Sequence, residues 1–269
     1  MLRRDPAAML SSTAPGRNMW CLLARCLLIA PLSIQGERRT LNAPVEPGTS
    51  RAWALATTAV IFERNGGRHD LLAGAELNDA TEAEAVALLK DDWGIETTEH
   101  VDNAAGNLFY DGNRTYYLKE MKELSKLNKR QFEQRLEAEK DPFETLRMKA
   151  LREHAPRALA MKGGLLAWDS CRMIALYRWG FCAGYYTEEE AWTKIDPIAR
   201  ELQKGYASWE ELGEAYFIGR ECWLPNTNAD TLEALEKLKK DPKSPFKTTP
   251  WNLKLGRIDK PEKRAPAKK

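Results

Sequence analysis

Three histidines and five cysteines are all that 269 residues offer a transition metal, and neither set is arranged to hold one. No HExxH motif occurs, and Cys21, Cys26, Cys171, Cys182 and Cys222 have no CxxC spacing, so no zinc site and no bound metal are expected. Scattered thiols, odd in number, do not read as a disulfide framework. They read as reduced cysteines of a cytoplasmic protein, with Cys171, Cys182 and Cys222 as small core residues. Also missing are the GxSxG elbow, the Walker loop and the GxGxxG turn, and Gly66-Gly67 is too short to cradle a phosphate. The net charge of +2 lacks the basic excess of a protein that lives on nucleic acid, so no nucleic-acid partner is expected. No cofactor and no catalytic residue are expected either. No stretch alternates with period two between hairpin turns, which leaves strands a minor part at most.

What is present is helical periodicity, with 43% hydrophobic and 30% charged residues. Residues 1–50 read as an N-terminal apolar segment followed by a linker. Arg3, Arg4 and Arg17 precede an apolar stretch, Met19 to Ile34, which resembles a signal peptide in layout but carries Arg25 in its middle. Neither half nears the roughly 20 residues that span a bilayer. A dispensable apolar helix is the favoured reading. Secretion, anchoring through residues 20–34 and an over-extended translation start are the alternatives. Residues 51–253 read as one all-α domain with its core in 163–223, and residues 254–269 as a basic, disordered tail. Such a tail is usually a solvated end, able to add weak attraction to an acidic partner.

Within the domain, Trp53, Ala56, Val60 and Ile61 share one helical face that stops at Asn65-Gly66-Gly67. A second helix starts at Asp79 or Thr81 and ends at Gly94; a third is capped by Thr97 or Thr98. Asn113 to Pro156 is charged and reads as two or three amphipathic helices, broken at Asp141-Pro142. From Leu165 to Tyr186 nearly every residue is apolar, which makes this stretch the buried central helix. Thr187 with Glu190 forms a capping box for the next helix, where Pro197 predicts a kink or break. Ser208 caps a third, with Glu211 at the box position.

The fragments Ala167-Trp168-Asp169, Arg178-Trp179-Gly180, Ala183-Gly184-Tyr185, Glu189-Glu190-Ala191-Trp192 and Ser208-Trp209-Glu210-Glu211, closing on Gly219-Arg220, resemble the bacterial family known as domain of unknown function 1266. The resemblance is concentrated in 165–223 and weakens upstream towards Trp53 and His69-Asp70-Leu71-Leu72. It implies a bacterial origin, an all-helical fold and no assigned activity. Because members are sometimes found near genes for interbacterial toxins, it also suggests, by analogy only, an immunity or accessory role.

Charges misplaced on the apolar helix supply the candidate site. Asp169, Arg172 and Arg178 must each be paired, hydrogen-bonded or open to a pocket, since a lone buried charge is too costly to keep. Their expected partners lie on the Ser208-capped helix: Glu210, Glu214 and Glu221, beside Arg220. An internal salt-bridge network is the plainest reading. A polar pocket for a ligand or a partner's side chain is the functional one, and a carboxylate metal site is disfavoured for want of a nearby histidine. His69-Asp70 is one element of metal-dependent phosphohydrolase sites, but the further ligands are missing, so it reads as a cap or surface contact. His100 and His154 read as structural. Absence of catalytic residues, with many aromatics and arginines, points to a helical module that binds a protein partner. The alternatives are an enzyme or small-ligand binder using Asp169, Arg172, Arg178 and the Glu210/Glu214 pair, and a peripheral membrane protein.

Overall fold

The structure, a computed structural model, describes residues 42–258. Among these residues the regular elements are all helices: α1 (Ser50–Ala56), α2 (Ala59–Arg64), α3 (Asp79–Trp93), α4 (Thr98–Asp111), α5 (Asn113–Lys126), α6 (Lys129–Ala138), α7 (Pro142–Ala160), α8 (Leu166–Cys182), α9 (Glu188–Gly205), α10 (Trp209–Trp223), α11 (Ala229–Lys240) and α12 (Pro245–Thr248). The fold class is all-α. Readings that concern residues 1–41, including the apolar stretch with Cys21 and Cys26, and those that concern 259–269 lie outside the described residues. No helix among the described residues is long and apolar enough to cross a membrane.

Helix α8 is the axis of the molecule. All its residues except Leu166, Arg172 and Trp179 are buried, and α3, α4, α5, α9 and α10 pack directly on it. A helix that is apolar on every side has no other stable place. Close approach is built in at Gly219 of α10, where a Cβ would stand 2.3 Å from the Cβ of Trp168. Helix α7 closes over α5 and α10 from outside, and α2 and α11 form a second contact beside them.

Local signals set most helix ends. Asn78 caps α3 in a reciprocal box with Thr81, and Gly94 ends it at φ 66°. Thr97 caps α4, Asp141 caps α7 with Pro142 in its first turn, and Thr187 with Glu190 caps α9. Two expectations are corrected. The run from Trp53 to Ile61 is two short helices, because the Thr57 and Thr58 hydroxyls turn back onto the carbonyls of Ala54 and Leu55. Pro197 does not break α9: it sits on the solvent face, where water can take the carbonyl it leaves free. Pro156 in α7 is placed the same way.

Packing continues past residue 253, where the basic tail was expected to begin. Arg200 donates to the carbonyls of Leu255 and Gly256, Arg51 donates to that of Ile258, and the Ile258 side chain is buried. Tryptophans hold this strand of chain down. Trp53, Trp209 and Trp251 meet with ring centroids 4.7–5.1 Å apart. Trp53 donates to the Trp251 carbonyl at 3.0 Å and Trp209 to that of Thr249 at 2.6 Å. The described part of the linker is anchored too, since buried Asn42 accepts from Ala73 N and donates to Ala75 O.

Candidate functional site

The six candidate residues are not one site; the structure sorts them into three environments. Arg178 is fully buried and meets no carboxylate among the described residues. Its Nε donates to Leu72 O at 3.0 Å, its Nη2 to Leu71 O at 2.9 Å and Arg68 O at 3.3 Å, and its Nη1 to Thr58 Oγ1. Its guanidinium lies 3.4 Å from the centre of the Phe62 ring. Burial pulls the group down to about 9, which leaves it charged at neutral pH. Arg178 therefore organises the loop between α2 and α3: it collects three carbonyls that would otherwise be stranded inside the protein.

Asp169 is equally buried, and its partners differ from those expected. Arg172, one turn on, reaches its Oδ1 at 2.5 Å. Oδ2 accepts from the backbone N of Arg114 at 3.2 Å and from Arg114 Nη1 at 3.0 Å. Arg114 also donates to Leu108 O and Phe109 O, closing the last turn of α4 while Asp169 covers the first turn of α5. Gly112 makes this junction possible, because a Cβ there would fall 2.2 Å from Asp169 Oδ2. Nothing in the sequence marks Arg114 as the partner, since it lies 55 residues away.

The α10 carboxylates do not join either group, which corrects the expected network. Glu214 pairs at 2.8 Å with Arg157 of α7 near the surface, and Glu210 is exposed. Glu221 accepts from Asn226 N and Asn228 Nδ2 and closes the turn after α10. Arg220 lies beside the Trp223 ring, 5.9 Å from its centre.

The thiols and histidines behave as structure. Burial pushes the Cys222 thiol up to about 12 and the Cys171 thiol higher still, which leaves neither a thiolate at neutral pH. His69 Nε2 lies 2.8 Å from Glu63 Oε2, while His154 meets the Phe217 ring edge-on. Among the described residues no cluster of His, Cys, Asp and Glu is placed to hold a metal ion.

Two surface features were not anticipated. A cavity of about 230 Å³ lies between α3, α8 and the loop after α2. Phe62, Ala73, Ala85, Leu88, Trp179 and Cys182 supply its apolar lining, and Glu84, Asp91 and Asp92 its carboxylates. Burial and the neighbouring Asp91 hold the Asp92 carboxyl above its ordinary range. The second feature is an aromatic patch at the α4–α5 junction: Phe109 is 52% exposed, Tyr110 79% and Tyr116 48%. Half-buried Phe143 and exposed Leu146, on the first turns of α7, extend it. Arg147 bridges the two parts, 6.0 Å from the Tyr116 ring and 5.6 Å from that of Phe143. A signal for the patch was present. In a helix adjacent residues point about 100° apart, so Phe109-Tyr110 and Tyr116-Tyr117 cannot both bury both rings in one stripe.

No curated protein and no solved structure gives a match. A family model does: residues 88–251, more than half the chain, match the family described as protein of unknown function (DUF1266), from the end of α3 to Trp251. That span holds α8, the Asp169 junction, Arg220 and the whole aromatic patch, and the chain belongs to the DUF1266 family.

Proposed function

We propose that the protein is a helical module that binds a partner protein through the aromatic patch at the α4–α5 junction and the start of α7. One observation carries this reading. Of the five large hydrophobic side chains most exposed among the described residues, Phe109, Tyr110, Tyr116 and Leu146 gather at this end. Only Leu232 lies elsewhere. Exposed aromatics beside an arginine have the composition of an interface core, and a contiguous apolar patch on a folded surface generally marks a contact. An inhibitory or immunity role is the sharpest form of the reading, and the family resemblance alone suggests it. The enzyme alternative is weakened because Asp169 and Arg178 are consumed by backbone and arginine contacts, with Glu210 and Glu214 outside.

The test is affinity capture with the tagged full chain, in wild type and in a Phe109→Ser/Tyr110→Ser variant, with sedimentation of both. Such exposed changes should leave stability within about 0.5 kcal/mol. A stoichiometric partner held by wild type and lost by the variant supports the proposal. A partner held equally by both, or a wild type that captures nothing, overturns it; self-association lost in the variant makes the partner a second copy. Arg178 is unsuitable for this purpose, because its replacement would disturb the core.

A second reading rests on the cavity. An apolar space of about 230 Å³ with Glu84, Asp91 and Asp92 on its lining suits a small amine with an apolar body. Saturable stabilisation of wild type by such amines, abolished by Ala85→Leu, would favour it over the patch.

A further inference from the structure

Where α8 crosses α10, three guanidinium groups, those of Arg64, Arg172 and Arg220, gather with two carboxylates, Asp169 and Asp230, among them. Tyr216, Gly219, Arg220 and Trp223 lie along the face of α10 that meets Trp168, whose ring centroid is 5.4 Å from that of Tyr216 and 5.9 Å from that of Trp223. Arg172 lies across the same indole, 3.9 Å from its centre. Arg64, at the end of α2, approaches from the other side, its Nε 2.9 Å from Asp230 Oδ2.

Two of the three arginines have a carboxylate partner. Arg172 is matched by Asp169 and Arg64 by Asp230. Arg220 has no carboxylate within ion-pair distance among the described residues, and its Nε is buried with no acceptor. The Trp168 Nε1 is buried and unpartnered as well, on a side chain only 1% exposed. Arg178 shows that this fold can supply carbonyls to a buried guanidinium, and at Arg220 it supplies none. Burial first, then the nearby Arg64 and Arg172, press Arg220 towards its neutral form, and the opposing influence of Tyr216 and Asp230 does not reverse the shift. The crossing is not sealed: Arg220 and Trp223 are only half-buried, and the side chains of Arg64 and Arg172 keep 16% and 14% of their surface in solvent.

Two orphaned donors and a surplus guanidinium exclude a cation and are wasted on an apolar ligand. They suit a compact group carrying negative charge and several acceptor oxygens. We propose that Arg220, Arg172 and the Trp168 indole form a binding site for a small oxyanion, with a phosphate group as its ligand. The phosphate takes the Arg220 Nε and the indole N–H as donors, and Tyr216 and Trp223 wall the site with aromatic surface. Free phosphate and a phosphate ester would present the same oxygens.

The test is thermal unfolding of the full chain in inorganic phosphate, in glycerol phosphate and in acetate, each against sodium chloride at matched ionic strength. Millimolar concentrations keep general salt exclusion from the protein surface small. The expected result is a saturable rise in Tm with inorganic phosphate or with the ester, whichever fits better, and no rise with acetate. Arg220→Met should lose that rise while remaining folded by circular dichroism. If Arg220→Met does not fold, Arg220→Gln keeps the size and polarity while removing the charge, and should lose the rise equally. No phosphate-dependent rise in wild type, a rise that survives the Arg220 variant, or an equal rise with acetate would overturn the proposal.

Discussion

Two arginines of the helical core, Arg178 on α8 and Arg220 on α10, have opposite fates. Arg178 is the more buried, yet three carbonyls, a hydroxyl and an aromatic ring surround it. Arg220 is less buried but has an orphaned Nε and two cationic neighbours. The difference teaches that burial alone does not separate a structural charge from a functional one; the count of satisfied donors does. A satisfied buried guanidinium is part of the architecture. An unsatisfied one is tolerated at a cost that only an external partner would offset.

The comparison breaks first at Arg178. Arg178→Met leaves the carbonyls of Arg68, Leu71 and Leu72 without their donor, so the loss of stability should be about 3–5 kcal/mol, as when a buried charge network loses a member. Urea unfolding measures it, and a loss below about 1 kcal/mol would erase the contrast with Arg220. Asp169→Asn comes next. It keeps the shape of the junction but removes the charge shared by Arg114 and Arg172, and should cost about 2 kcal/mol. Arg220→Met sharpens the comparison from the other side. In phosphate-free buffer it should be neutral or stabilising by about 1 kcal/mol, since a half-buried charge without an ion-pair partner gives way to an apolar chain of similar size. A loss of several kcal/mol would make Arg220 structural after all.

The smallest expected effect concerns pH at the Arg178 end. Burial holds the His69 imidazole below its ordinary range, against the raising influence of Glu63, with Arg178 and Lys237 also lowering it. A histidine whose folded pKa lies below the unfolded value binds fewer protons when folded. Its contribution is fully present above the unfolded pKa of about 6.5 and is lost as pH falls below that value. Urea midpoints should therefore drop between pH 7.5 and pH 5.5 in wild type, and His69→Gln should flatten that part of the profile. Equal slopes in both proteins would show that His69 keeps its charge state on folding.

Much of the helical framework was legible in the sequence because its signals are local. Thr187 with Glu190, Thr97, Asp141-Pro142 and Gly94 each act within one turn, and each stands at the helix end where the pattern placed it. The central place of α8 was legible because a helix with no polar face must be enclosed. Pro197 does not interrupt α9: it stands at an exposed position, where water can take the carbonyl it frees, and exposure is not a local property. The Thr57-Thr58 interruption was missed for a smaller reason: two hydroxyls outcompeted a continuous apolar stripe.

For the candidate site, the residue types were readable and the pairings were not. The sequence by itself marked Asp169, Arg172 and Arg178 as charges in need of partners, since desolvation penalises any charge on so apolar a helix. Which partners they found was decided by tertiary structure. Arg178 reached carbonyls 106 to 110 residues away, and Asp169 reached Arg114 across 55 residues. The adjacent Glu210 and Glu214 turned outwards. A hydrogen bond needs its atoms within about 3 Å, and no one-dimensional spacing fixes that distance between distant helices. Composition determined that α8 is enclosed and that its charges must be answered; helix packing decided that Arg178 is answered from within while Arg220 is left open.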